Sequence, residues 1–273
     1  MGIVCGIEYD GTDYRGFQRQ PESHGPTVQG TLEAAIAQVS GEAATVAGAG
    51  RTDAGVHASG QVIQFHTQAR LQPQVWLRAL NAHLPQTVVV RWAMKAPEER
   101  FHPRFSAESR SYRYTIWNDP APTALHARYS YHCARPLDVA LMHEASQYLL
   151  GRKDFGAFGH SPDDTNPLRP GPHHCIRTML EARCIQQETN SFIYCDFTAD
   201  AFLTGQVRRM VGTLLLVGQK RLGLEEFATI VQRAEKTHPG SAAPAHGLCL
   251  VRVKYPEKFG VTNDDEDIQR QGR

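Results

Sequence analysis

The chain has 273 residues, 29 Lys and Arg against 28 Asp and Glu, a formal net charge of +1 and 41% hydrophobic residues. That length can bury a sizeable core, as one large domain or as two halves sharing a sheet. The composition excludes a disordered chain, the near-neutral charge lacks the basic signature of many nucleic-acid binders, and no apolar stretch is long enough to cross a bilayer.

Hydrophobic period gives the elements in chain order. Ile3–Tyr9 reads as a strand, entered without the basic flank and cleavage site of a signal peptide, so the expected location is the cytoplasm. A helix near Thr27–Val39 carries Val28, Leu32, Ile36 and Val39 at helical spacing, and Gly41 follows as a stop. Strands near Ala44–Ala47 and Gln61–His66, a helix Pro73–His83 and a strand Val88–Met94 complete a βαββαβ order. The second half repeats it more loosely. Strand Ser111–Trp117 precedes a helix Asp138–Leu150 stopped by Gly151, and strands Arg177–Cys184 and Phe192–Thr198 follow. Helices near Gln206–Val217 and Leu224–Glu235 and a strand Leu248–Tyr255 end the series. Two α+β halves of this kind predict a largely antiparallel sheet with helices on one face and a cleft across the other. The expected division is 1–104, 105–257 and a disordered tail 258–273, which holds Asp264-Asp265-Glu266-Asp267. The proline-rich stretch from Gly159 to His174 reads as a long surface loop.

Cys5, Cys133, Cys175, Cys184, Cys195 and Cys249 form no Cys-x-x-Cys pair, so reduced thiols are expected rather than a disulfide framework or zinc ribbon. His173-His174-Cys175 lacks a fourth ligand at suitable spacing, and no metal is expected. Only six of the 29 basic residues are lysine. Arginine, the better bidentate phosphate ligand and base stacker, dominates the positive charge.

The segment Gly48-Ala49-Gly50-Arg51-Thr52-Asp53-Ala54-Gly55-Val56-His57-Ala58 sets one carboxylate among residues too small to shield it. Such a run lets a backbone bend tightly and a bulky substrate approach, although Asp before Ala-Gly is also an ordinary solvated turn. If the stretch is extended, Arg51 and Asp53 face one side and Thr52 the other. In Tyr112-Arg113-Tyr114, alternation puts Tyr112, Tyr114 and Ile116 on one face. Arg208 and Arg209 begin a helix, where the dipole disfavours cations unless an anion faces them.

These segments, with Gly6-Ile7-Glu8-Tyr9-Asp10-Gly11-Thr12, Gly16-Phe17-Gln18-Arg19-Gln20, Phe101-His102-Pro103-Arg104-Phe105-Ser106-Ala107, Val211-Gly212-Thr213-Leu214 and Gly247-Leu248-Cys249-Leu250, resemble the tRNA pseudouridine synthase A family over nearly the whole chain. The resemblance implies two ferredoxin-like halves sharing a largely antiparallel sheet, with a central RNA-binding cleft. It implies isomerisation of uridine to pseudouridine on the 3′ side of the anticodon stem-loop of tRNA, at tRNA positions 38, 39 and 40, by a cofactor-independent cytoplasmic homodimer. By the same resemblance Asp53 is the nucleophile, Arg208 its ion-pair partner and Tyr112 the ring that packs on the flipped uracil. Arg51 enters the RNA, and Phe101, His102, Arg104, Phe105 and Arg110 contact it. The run Gln206-Val207-Arg208-Arg209-Met210 departs from the commoner Met-Val-Arg-Asn-Ile of the family. Two competing readings are a glycoside hydrolase, for which no second carboxylate stands out, and a non-catalytic RNA-binding protein, against which Asp53, Tyr112 and Arg208 argue.

Overall fold

The computed structural model describes residues 1–97, 100–159, 175–187, 190–234 and 240–261, the side chain of Glu22 excepted. The tail from 262, with its acidic run, and the proline-rich stretch 160–174 lie outside the described residues. The fold is mixed α/β with a large, mostly antiparallel sheet. Two compact units emerge: Met1–Arg110 together with Cys249–Arg273, and Ser111–Leu248.

The first unit runs β1 (Gly2–Tyr9), α1 (Val28–Ser40), β2 (Ala47–Gly48), β3 (His57–His66), α2 (Pro73–His83) and β4 (Val88–Lys95). Strand order is β4-β1-β3, with β2 on β3. Antiparallel register pairs Cys5 with Ile63 and with Ala93. Helix α1 starts where the Thr27 hydroxyl accepts the Gly30 N–H and stops where Gly41 turns left-handed, φ 75°. Pro73 opens α2, where its missing N–H costs nothing. The core is Ile3, Ile7, Leu32, Ile36, Phe65 and Trp76, all essentially unexposed, with Trp76 edge-on to Phe65 at 5.0 Å. Burying each such side chain is worth about 1.5–3 kcal/mol. The predicted order is present; β2 is shorter than expected, and β3 begins four residues earlier.

The last strand, β10 (Leu248–Lys254), pairs in parallel with β3, Cys249 opposite His57, and so belongs with the first unit. Beyond it Phe259 and Val261 are buried, Phe259 against Phe101 at 5.3 Å.

The second unit contains β5 (Ser109–Trp117) from Ser111 onward, β6 (Tyr131–His132), α3 (Val139–Gln147), β7 (Gly151–Asp154), β8 (Ile176–Gln186), β9 (Phe192–Ala199), α4 (Gln206–Gly218) and α5 (Leu224–Arg233). Its strand order is β5-β9-β8-β7, with β6 parallel to β5. Helix α3 ends earlier than Leu150. The amides of Tyr148, Leu149 and Leu150 reach back only three residues, to Ala145, Ser146 and Gln147. Gly151, φ 89°, then opens β7 against β8. Two-residue β6 and four-residue β7 are too short to display a period, and the sequence reading lacks both. Phe155, Phe158, Phe197 and Phe227 form the core of this unit.

Candidate active site

The Asp53 segment is the loop that joins β2 to β3. Its stem is held peptide by peptide. Ala49 N–H donates to Val62 O at 2.9 Å, and the fully buried Gln61 amide accepts from Gly50 N–H at 3.2 Å and donates to Gly50 O at 2.7 Å. The next residues alternate as predicted for an extended stretch: Arg51 is exposed, Thr52 buried and Asp53 half-buried. Thr52 is pinned inward, its hydroxyl 2.8 Å from the Tyr9 hydroxyl and its carbonyl accepting Phe17 N–H at 3.0 Å. A tight turn closes after Asp53, whose carbonyl accepts Val56 N–H at 3.2 Å while Gly55 takes φ 77°. Gly16, φ 99°, passes so near that a Cβ there would sit 2.8 Å from Thr52 O. An L side chain at Gly16 would therefore push the loop away.

His57 is buried and accepts Gly11 N–H on Nδ1 at 3.0 Å, with Asp10 Oδ1 3.2 Å from the same nitrogen. It ties the loop's exit to the end of β1.

The segment from Phe101 divides by exposure. Phe101 is buried on Tyr255 and Phe259, so it packs the core instead of meeting solvent. His102 Nδ1 accepts the amides of Arg104 and Phe105 at 3.1 and 3.4 Å. Burial, then the nearby Arg104 charge, lowers its pKa, which favours the neutral ring. Phe105 is 77% exposed, flanked by the His102 ring at 4.6 Å and by the Arg104 guanidinium at 5.5 Å. An exposed ring beside a cation suits base stacking. Arg110, in contrast, is buried, and its guanidinium donates to the carbonyls of Ala49, Arg104 and Ala107.

In the second unit, β5 alternates as read: Tyr112, Tyr114 and Ile116 are buried, Arg113 and Thr115 less so. Arg113 turns to the other face, where it forms a two-pronged pair with Asp196, at 2.7 and 3.0 Å, and lies over Tyr194 at 4.7 Å. Tyr112 meets Phe202 edge to face, ring centroids 5.1 Å apart. Phe202, which the sequence reading did not single out, precedes α4; its Ala-Phe-Leu context carries no periodic signal. Tyr114 donates to Pro244 O at 2.9 Å, and burial pushes its hydroxyl well above the usual phenol range, against a smaller downward pull from Arg208.

Arg208 is on the first turn of α4, with Nε donating to Ala243 O at 2.8 Å while Ala243 N–H donates to Arg208 O at 2.9 Å. Segment 241–243 can lie this close because Gly212 faces it; a Cβ there would fall 1.8 Å from Ser241 O. The Val211-Gly212-Thr213 motif is thus the seat of the segment that steadies Arg208. Among the described residues no group of three or more His, Cys, Asp or Glu could hold a metal, and no helix is long and apolar enough to cross a membrane.

The family model described as tRNA pseudouridine synthase matches residues 7–106 and 145–256. The tRNA pseudouridine synthase A of Moorella thermoacetica is 44% identical over 249 residues, 91% of this chain and 97% of that protein. The proteins of the same name from Methylacidiphilum infernorum and Haemophilus ducreyi are 40% and 39% identical, over 94% and 96% of this chain and 96% and 95% of theirs. A solved Cbf5-Nop10-Gar1 complex matches at 13% identity and a TM-score of 0.31, over 78% of this chain and 45% of that one, too distant to bear on the argument. Motifs in both units fall inside the matched residues, and the chain belongs to the tRNA pseudouridine synthase family.

Proposed function

We propose that this protein isomerises uridine to pseudouridine in tRNA, on the 3′ side of the anticodon stem-loop. The observation that carries the reading is the Arg51-Thr52-Asp53 loop, with Thr52 turned into the core, in a chain so similar along its length to proteins named tRNA pseudouridine synthase A. The reaction breaks the N1–C1′ bond and joins C5 to C1′, so composition and redox state are unchanged and the balance calls for no cofactor. Asp53 is assigned the nucleophile, acting at the ring, at the sugar or by taking the 2′ proton. Arg208 is assigned the cation that keeps Asp53 ionised, as a near opposite charge does.

A uridine stacked in a stem cannot offer its glycosidic bond to a carboxylate. Turning it out costs roughly a few kcal/mol, and stacking on an aromatic ring returns about 1–3 kcal/mol. Arg51 is assigned the first task and Tyr112 the second, with Phe202 orienting the Tyr112 ring. Arg104, Phe105 and His102 are assigned to the RNA surface. An enzyme that acts on tRNA is assigned to the cytoplasm, and a homodimer is assigned because it lets one subunit brace a stem-loop bound at the other; size-exclusion chromatography with light scattering tests the dimer.

The decisive experiment incubates purified protein, without added cofactor, with unmodified tRNA tritiated at C5 of uridine. Label release mapped to the anticodon arm, lost in Asp53→Asn while tRNA binding persists, is the expected result. Turnover in that variant would sink the catalytic assignment.

A further inference from the structure

A guanidinium has five N–H donors, no acceptor and a permanent charge, so burial demands oxygen partners. Arg110, 8% exposed, finds them in backbone carbonyls: Nη2 donates to Ala49 O at 3.2 Å and to Arg104 O, and Nη1 to Ala107 O at 3.4 Å. The carbonyls come from two places. Ala49 is in the stem of the Asp53 loop, four residues before the carboxylate, whereas Arg104 and Ala107 bracket the exposed Phe105 ring. On the same stem the buried Gln61 amide grips both polar groups of the next residue, Gly50. Two consecutive residues are therefore held by buried side chains, and one of those side chains also holds the Arg104–Ala107 turn.

We propose that Arg110 is a positioning residue, which locks the stem of the Asp53 loop to the turn carrying Arg104 and Phe105, with Gln61 as the second clamp on that stem. The proposal rests on the assignment of Asp53 above. The Nη1 and Nη2 donors that an RNA-contacting arginine would offer to phosphate are here directed at the protein's own carbonyls. Displacement of a reacting group by about 1 Å can cost on the order of a hundredfold in rate. Lysine, with one compact ammonium, cannot span three carbonyls in two segments.

The test compares wild type, Arg110→Lys and Gln61→Asn in single-turnover label release at saturating enzyme, with the tRNA affinity of wild type, Arg110→Lys and the charge-removing Arg110→Gln measured across salt concentration. A positioning role predicts a rate constant at least tenfold lower in Arg110→Lys, a smaller loss in Gln61→Asn, affinity within threefold of wild type and an unchanged salt slope. A merely structural role lowers the folded fraction, read by circular dichroism, and leaves the rate constant at saturating enzyme unchanged. A phosphate ligand behaves differently, because its removal flattens the slope of log affinity against log salt by about one; Arg104→Gln is the comparison for that behaviour. A slope lower by about one in Arg110→Gln, or an unchanged rate constant in Arg110→Lys, overturns the proposal. Should Arg110→Lys fail to fold, a wild-type rate constant in Gln61→Asn overturns it equally. Absence of release by the wild type is a separate result, which fails the functional reading itself.

Discussion

Replacing Gly212 by alanine sets helix propensity against tertiary packing, and the two predict opposite signs. In an open helix interior, glycine to alanine stabilises by about 1 kcal/mol. At Gly212 the new Cβ would fall 1.8 Å from Ser241 O, 3.0 Å from Ser241 C and 3.4 Å from Ala243 N. An ordinary carbon–oxygen contact is about 3.3 Å, so the two backbones must separate by about 1.5 Å. No rotamer can absorb this, since both sides are backbone. Overpacking costs about 1–3 kcal/mol or more, and a backbone clash belongs at the upper end. Less the propensity gain, about 2 kcal/mol of destabilisation remains, or a Tm lower by roughly 4–8 °C for a protein of this size. The same shift withdraws Ala243 O from Arg208 Nε. Circular dichroism melts give the first effect and label release the second. A Tm equal to or above wild type with full activity would refute the packing argument and the anchoring of Arg208 together.

Tyr112→Phe keeps the ring and its edge-on contact with Phe202 and should retain most turnover, whereas Tyr112→Ala should lose it; equal losses would implicate the hydroxyl. Burial pushes the Cys5 thiol up to about 12, and Cys184 is raised by its hydrogen bond to Cys195 and by burial, so alkylation of native protein at pH 8 should mark the less buried Cys249 before either. Early labelling of Cys5 would contradict this. Glu42 accepts hydrogen bonds from Thr67 Oγ1, Gln68 N–H and Ala69 N–H, which hold its pKa below the ordinary value. A folded-state pKa lowered in this way contributes stability above the unfolded value, about 4.3, that is lost as pH falls through the folded one. The Tm gap between wild type and Glu42→Gln should therefore close from pH 6 to pH 3, and a constant gap would refute the linkage.

Much of the fold was legible because its signals are local. Helix α2 matches its predicted limits at both ends, with proline opening it, and the alternation of β5 is written in the order Tyr112, Arg113, Tyr114. The inward turn of Thr52 follows from the same two-residue period. Signals that need a neighbour from elsewhere were not legible. Phe101 and Phe105 sit in one motif, yet Phe101 is buried on Tyr255 and Phe259 while Phe105 is 77% exposed, and nothing between them in sequence distinguishes the two rings. Phe202 matters through an aromatic contact with a residue on another element.

By itself the sequence determined the family, the order of the main helices and strands, and the small-residue loop around Asp53, because motif, period and turn chemistry are properties of adjacent residues. Tertiary structure alone decided that β10 pairs with β3 in the first unit, since a strand's partner is chosen by the whole sheet and not by its own period. It also decided what Arg110 does. One of its carbonyl partners lies 61 residues away, and only the folded chain shows a guanidinium directed at the protein's own backbone.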